Sequence, residues 1–523
     1  MHYDALIVGA GPAGCAAAYD LAAAGRRVLL LDKRSFPRHK ACACGLTRKT
    51  LKALRYAVDP VIERECRDVV LQEAGPAFLV GGRTADKSRE VRVHLRNPFC
   101  AMAVRERFDA FCLEQTLAGG LAGARPELRK IEAITALREL PTHIELDIIL
   151  PGGASETLRA PALIGADGSN GQTRRLSTGL LSTCLPPPPD PSIGDSPDLS
   201  SRSSPDLSSR SKAEGSAFPD APGNPGAPSS ATASPSPKVG PPFTEATAAQ
   251  LPPEPTWYAR GFALEATIPY TALPSTLPAG DAPLDLVFDF APVAGGYGWL
   301  FPKGDHINIG VGGFVPQHQA DGDPNMTYEA VTRTLLNTYI RTKLGVDLAV
   351  LPTTHVTGQH LGLGGHAYIP HGRVLLTGDA AGLVDPLTGE GIHSALVSGQ
   401  AAAAAILEVL RPTPAGSSQS QPGPARELSS RPEAHSAAAE RPLYSAAEAF
   451  KEAANLAAAY LRHLTPLLET LTFSHRAARS FYREPERGFR IMRTPLLRSL
   501  VLKTYADGLP TTKLLAKLAR RVA

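Results

Sequence analysis

The sequence has little of what marks a secreted, metal-loaded or nucleic-acid-binding protein. Its seven cysteines are an odd number without framework spacing, which argues against a disulfide scaffold and for reduced thiols on the cytosolic side. The formal net charge of +4 over 523 residues is too small to imply nucleic acid. No run approaches the roughly 18 consecutive apolar residues of a membrane-spanning helix. The first apolar run begins at Asp4, which leaves no room for a signal or transit peptide. These absences predict a cytoplasmic protein, soluble or peripheral at a membrane, and not an integral one.

Two stretches lack the apolar residues needed to offset the entropy of ordering. Residues 180–256 are dominated by Ser, Pro, Ala and Gly, with a Pro186–Pro189 run and a near-repeat starting at Ser196 and again at Ser204. Residues 411–442 have the same character, and both read as disordered insertions between ordered elements. About 400 residues remain, ample for two layered domains.

Glycine, by contrast, is placed with purpose. Asp4–Val8 reads as a short buried strand, followed by Gly9-Ala10-Gly11-Pro12-Ala13-Gly14 and an alanine-rich helix to about Ala24, stopped at Gly25. In such a turn Gly9 permits the tight bend, Gly11 lets backbone approach a pyrophosphate, and Gly14 lets the helix pack on the strand. The helix N-terminus offers N–H groups and the positive dipole end to phosphate. A second apolar run from Arg27 to Leu31 ends at Asp32, with Lys33 beside it, about 20 residues after the glycines, where an acid suits a ribose hydroxyl pair.

Two later segments repeat the logic. Ala162–Ser169 is a strand ending in Asp167-Gly168, whose carboxylate could accept from cofactor hydroxyls or hold Arg groups that touch a pyrophosphate; Arg174 follows. Upstream, Arg105 opens a helix carrying Phe111, Leu113 and Leu117, and is a candidate phosphate or ribityl contact. The strand Arg373–Thr377 ends at Gly378-Asp379, an acid suited to a ribityl chain. Asp385-Pro386-Leu387-Thr388-Gly389-Glu390-Gly391 then leads into a helix from Ile392, whose N-terminus would stabilise negative charge at the N1 and O2 edge of a reduced flavin. In this order the segments indicate one two-part FAD site.

Together they resemble the p-hydroxybenzoate hydroxylase superfamily of FAD enzymes. Phe36–Thr47, with Lys40, Cys42, Cys44 and Gly45, resembles the Lys-x-Cys-Gly-Gly-Gly-Leu element of the geranylgeranyl reductase family. Tyr297-Gly298-Trp299-Leu300-Phe301-Pro302, followed by Gly310-Val311-Gly312, is similar to that family's Tyr-x-Trp-x-Phe-Pro…Gly-x-Gly motif. The resemblance spans 1–175 and 257–410. It implies an α/β fold: a discontinuous Rossmann-like FAD domain (1–178 and 356–410), a β-sheet substrate domain (257–355, with 66–99) and a helical basic C-terminal region (443–523). It implies a flavoprotein that saturates carbon–carbon double bonds of polyprenyl chains on a lipid, pigment or quinone, with hydride from reduced flavin. NADPH as electron source is likewise implied by the family, since no second glycine fingerprint is visible.

On this reading Tyr297, Trp299, Phe301 and Phe290 line an apolar tunnel over the flavin. Cys42 is the candidate proton donor, because an ordinary thiol with pKa of about 8.5 is neutral at pH 7. This chain departs from the family in having Ala43 and Cys44 where the family has glycine. Either the loop avoids positive φ there or the pocket is reshaped, and Cys44 could then sit as near the chemistry as Cys42. A Cys42–Cys44 disulfide or metal site is the other option, but no Cys/His cluster accompanies the pair. His306 and His393 read as structural histidines, and Gly304-Asp305 as a hairpin turn.

The rival readings are a monooxygenase or halogenase of the same superfamily and a silent flavin-binding protein. The halogenase stretch begins with Trp and ends Ile-Pro, unlike Tyr297–Pro302. From Ser474 onward twelve basic residues face three acids, with Leu496, Leu497, Leu500, Val501 and Leu514, Leu515, Leu518 at helical spacing. Such a tail can rest on an anionic membrane surface or attract a diphosphate, or it can be a solvated face with its apolar side on the core.

Overall fold

The structure is a computed structural model describing residues 3–72, 90–119, 124–182, 244–247, 254–273, 285–290, 292–314, 327–351, 355–410, 445–483, 489 and 492–508. The chain divides into two units, Met1–Thr183 with Phe243–Ala523, and Cys184–Pro242. The second unit, most of the 180–256 stretch and all of 411–442 lie outside the described residues.

A five-stranded sheet forms the base, in the order Val374–Leu376, Leu163–Gly165, Ala5–Val8, Val28–Asp32, Glu127–Lys130, with every pair parallel. Its central strands are apolar on both faces because helices cover both. The helix Pro12–Ala23 packs on Ile392–Val409 so closely that a Cβ on Gly399 would lie 2.2 Å from the Ala13 carbonyl oxygen. Ile392–Val409 is long and apolar enough to cross a membrane, with mean hydropathy 1.3, but 61% of it is buried inside the protein as a core helix.

A seven-stranded sheet carries the second layer, ordered His355–Leu363, Ala259–Pro269, His306–Phe314, Gly296–Pro302, Leu286–Asp289, Asp68–Gln72, Glu90–His94. Phe262, Leu264, Ala266 and Ile268 point to one face and pack with Leu336, Tyr339 and Ile340 of the helix Tyr328–Leu344. Gly261, Ala263, Glu265 and Thr267 point the other way. Gly304 and Asp305 make the expected hairpin between Gly296–Pro302 and His306–Phe314. Two smaller sheets complete the set among the described residues: Ser155–Ala160, Ile144–Ile149, Ala133–Glu139 and Thr244–Thr247; and Gly45–Thr47, Cys100–Ala103 and Ile62–Cys66.

Two expected boundaries move. The strand His355–Leu363, most of which the sequence assigned to the FAD domain, pairs with Ala259–Pro269 in the large sheet. Thr244–Thr247 and Glu254 fall inside the stretch expected to be disordered. Yet Thr244–Thr247 extends a sheet beside Ala133–Glu139, and Glu254 accepts from Arg174 at 2.7 and 2.8 Å. The C-terminal region is helical where described, as Ala446–Arg483 and Pro495–Asp507. The tail's buried side differs from the pattern read in the sequence: Leu502 and Ala506 join the cluster of Trp299 and Phe301, whereas Leu496 is 66% and Val501 37% exposed.

Candidate active site

The strand ends of the parallel sheet and one face of the seven-stranded sheet enclose a cleft of about 740 Å³, within the range of small-molecule sites. Its floor is the glycine turn. Gly9 has φ +105°, and a Cβ there would lie 2.3 Å from the Ala166 carbonyl oxygen. A Cβ on Gly14 would lie 1.9 Å from the Gly9 carbonyl oxygen, so strand and helix touch through these two glycines. Gly11 differs: the nearest atom to its missing Cβ is Arg38 Nη2 at 3.5 Å, so its backbone opens into the cleft. Neither the helix starting at Pro12 nor the one starting at Ile392 has a side-chain cap. Two uncapped helix N-termini therefore meet at one cavity, as an anionic dinucleotide requires.

The acids around it have distinct duties. Asp32 accepts from the backbone N–H of Ala10 and of Arg34, both at 2.8 Å, which leaves carboxylate lone pairs for ribose hydroxyls. Lys33 donates to Gln172 at 3.0 Å on the rim. Asp379 lies on the wall within electrostatic reach of Lys40. Asp167 is committed elsewhere: it takes the N–H groups of Gln172 (2.7 Å) and Thr173 (3.0 Å) and the Thr173 hydroxyl, starting the helix Thr173–Ser182. Of the two roles expected for Asp167, holding an Arg group survives only as an electrostatic contact with Arg174, which pairs with Glu254 and stacks on Tyr258 at 3.5 Å. Gly168, Gly378, Pro386, Gly389 and Gly391 all line the cleft. Asp385 Oδ1 orders that last loop, accepting from Leu387 and Thr388 N–H (3.0 Å each), the Thr388 hydroxyl (3.0 Å) and Ser474 (2.8 Å).

Arg105 is buried and gripped by Asp109 through Nε and Nη2, each at 2.9 Å, while Arg38 reaches the same carboxylate at 3.3 Å. Asp109, fully buried, thus holds two guanidinium groups on the cleft wall, and Arg38 is the one nearest Gly11.

The Cys42 loop sits opposite. Cys42, half-buried, receives the Cys44 N–H on its sulfur at 3.4 Å. Cys44 keeps a positive φ of +48°, the only non-glycine among the described residues to do so, so the loop has not avoided that conformation. The buried Lys303 ammonium holds the loop by donating to the carbonyl oxygens of Ala43 and of Ala103 (2.8 Å). The hydrogen bond from Cys44 and the Arg105 guanidinium pull the Cys42 thiol well below the usual range, and burial pushes Cys44 up. These surroundings favour the thiolate of Cys42 over the neutral acid that an ordinary thiol would supply.

One row of the large sheet explains the aromatic motif. Phe288, Trp299, Gly310, Glu265 and Thr357 face one another across successive strands. The Trp299 ring lies over Gly310, where a Cβ would stand 2.1 Å from its Cζ2. Trp299 Nε1 donates to Asn308 at 2.8 Å, and the Tyr297 hydroxyl donates to the Thr388 carbonyl oxygen. With their polar atoms engaged, Tyr297 and Trp299 form the wall rather than a proton path. Phe288, Phe301 and Tyr505 extend that wall, whereas Phe290 packs on Phe481 at 4.9 Å.

Sequence reasoning missed Glu265, Lys303, Arg38, Asp109 and Glu390. Glu265 is a lone acid in the apolar run Ala259–Pro269, which reads as solvent-facing unless the sheet is known to be covered on both sides. Lys303 reads as an ordinary turn lysine. Glu390 was quoted within a motif, and the structure gives it three partners, Lys49 (2.6 Å), Thr50 (2.8 Å) and Thr47 (3.3 Å). Burial pushes His393 down to about 4, so it stays neutral. His306 pairs with Asp305 at 2.6 Å at the hairpin end.

Residues 2–179 match the FAD binding domain family. The chain is 24% identical over 421 residues to geranylgeranyl diphosphate reductase of Rhodobacter capsulatus, covering 79% of this chain and 76% of that protein. It is 31% identical over 128 residues to digeranylgeranylglycerophospholipid reductase 1 of Methanopyrus kandleri, covering 24% of this chain and 31% of that one. The structure of the flavin-dependent brominase Bmp2 shares the fold, with TM-score 0.55 and 14% identity over 97% of this chain and 94% of that one. The glycine floor, the two uncapped helix ends and the matching domain define a FAD-dependent oxidoreductase of the p-hydroxybenzoate hydroxylase type. Within that superfamily the chain is similar to proteins named for geranylgeranyl and digeranylgeranylglycerophospholipid reduction.

Proposed function

We propose that this protein saturates carbon–carbon double bonds of geranylgeranyl or longer polyprenyl groups. The observation that carries the reading is the aromatic wall of Phe288, Tyr297, Trp299, Phe301 and Tyr505 in the same cavity as the flavin cradle. An uncharged prenyl chain has no polar handle, so shape and apolar contact must orient it. The relatives named for reduction of geranylgeranyl groups support the same substrate class.

When bound, reduced FAD supplies the hydride, with NADPH as the electron source by family inference. The chain's own residues hold the cofactor: Gly9, Gly11 and the helix from Pro12 take the pyrophosphate with Arg38, Asp32 the ribose, and the loop Asp385–Gly391 the flavin edge. The aromatic wall excludes water and positions the alkene.

The reading extends to delivery of the substrate. Tyr505 lines the cleft, and its helix exposes Leu496 and Val501 beside Arg493 and Lys503. A basic face with protruding apolar residues suits an anionic bilayer surface, from which a lipid-borne prenyl chain could enter. Mass spectrometry of isoprenoid lipids, pigments and quinones in cells with and without the gene tests the assignment. Loss of a saturated prenyl species on deletion is expected, and unchanged prenyl saturation would overturn it.

A further inference from the structure

Alkene reduction needs a proton as well as a hydride, and the Cys42 sulfur is poorly suited to give one. It faces Arg105, receives an N–H from Cys44, and is therefore stabilised without its proton. Another acid stands in the same wall. Glu265 is 6% exposed, lines the cleft, and shares the sheet row of Trp299 with only Gly310 between them. Its Oε1 accepts the Cys42 N–H at 2.8 Å.

We propose that Glu265 holds the proton of this site and delivers it to the prenyl carbon that does not receive the hydride. The proposal rests on the prenyl-reductase reading above. In the step, the carboxyl O–H bond of Glu265 breaks and a C–H bond forms as the π bond is lost. The hydride supplies the other C–H bond and both electrons. Glu265 is left as a carboxylate and regains its proton from water.

The other acids of the wall are placed differently. Asp32 and Asp385 take backbone N–H groups, Asp167 starts a helix, Glu390 is paired with Lys49, and Asp379 stands in the field of Lys40. The charged and titratable groups facing Glu265 are Cys42 on its loop and Lys303, just past the end of the strand Gly296–Pro302 two strands away. Lys303 spends its ammonium on the carbonyl oxygens of Ala43 and Ala103 and does not pair with Glu265. Burial and the adjacent Cys42 sulfur push the Glu265 carboxyl up to about 7, so it holds its proton well above the pH at which an ordinary carboxyl has lost it.

The test combines rate and thiol chemistry. Single-turnover oxidation of reduced wild-type holoenzyme by geranylgeranyl diphosphate should fall tenfold per pH unit above about 7. Glu265→Gln, which keeps the shape, should lower the rate at least about 100-fold and abolish that pH dependence. Separately, alkylation of the Cys42 peptide by iodoacetamide in flavin-free protein should show an inflection near pH 7 that Glu265→Gln removes. A wild-type rate that is flat across this range, or a variant with wild-type rate and pH profile, overturns the proposal. If no prenyl substrate oxidises the wild-type flavin, the function assignment fails. The alkylation profile then decides on Glu265 by itself, since identical wild-type and variant profiles overturn its coupling to Cys42.

Discussion

The ring of Trp299 covers Gly310 on the adjacent strand, so near that no side chain fits beneath it. This contact is why an aromatic-rich strand must be answered by glycine on its neighbour: Gly310 gives Trp299 its place in the cleft wall. Gly310→Ala should destabilise the protein by about 1–3 kcal/mol through overpacking, and it should also displace Trp299. Denaturant unfolding followed by tryptophan fluorescence reads both effects, and unchanged stability would contradict the contact.

Asp109 neutralises two guanidinium groups at once. Asp109→Asn leaves Arg105 buried without a counter-charge and should cost about 3–5 kcal/mol, with weaker flavin retention. Asp109→Ala combined with Arg105→Met should recover much of the lost stability but not the flavin affinity, as measured by unfolding and flavin titration.

Cys44→Gly restores the residue type expected at a positive φ and removes a thiol whose hydrogen bond favours the Cys42 thiolate. Alkylation of Cys42 in the variant should therefore need higher pH than in the wild type. An unchanged profile would show that Arg105 alone sets its charge.

Glu265 also leaves a mark on stability. Its pKa is raised in the fold, so the favourable protonated state is fully present below about 4.5 and is lost as pH rises through about 7. Relative to Glu265→Gln, the wild type should lose up to about 3 kcal/mol between those values and nothing further above them. Unfolding curves of both proteins from pH 4.5 to 8 measure this.

Leu496→Asp with Val501→Asp should weaken sedimentation with vesicles containing anionic lipid, while leaving flavin content unchanged. Equal sedimentation would remove the membrane from the account.

Much of the cofactor site was legible because the glycine turn and its strand-end acid are local in sequence, and each needs a particular backbone. Gly9, Gly14 and Asp32 all stand where spacing placed them. The acid–base centre was not legible. Glu265, Lys303 and Asp109 act through contacts between segments separated by up to 260 positions, and their charge says nothing about burial until the layers are stacked. Cys42 was found, but the pull on its thiol was not, because it comes from the Cys44 contact across the turn and from Arg105 on the helix Arg105–Ala118. The sequence left open which way the apolar side of the C-terminal tail faces, and the fold divides it: the cleft cluster takes Leu502 and Ala506, while Leu496 and Val501 stay outside.

The most direct measurement is made without oxygen. FAD-loaded protein is chemically reduced and mixed with geranylgeranyl diphosphate and a panel of prenyl lipids and quinones, and flavin absorbance is followed alongside product mass. A prenyl reductase reoxidises its flavin and yields a product two hydrogens heavier per double bond. A flavin that stays reduced with every prenyl substrate, and reoxidises only when oxygen is admitted, would contradict the assignment.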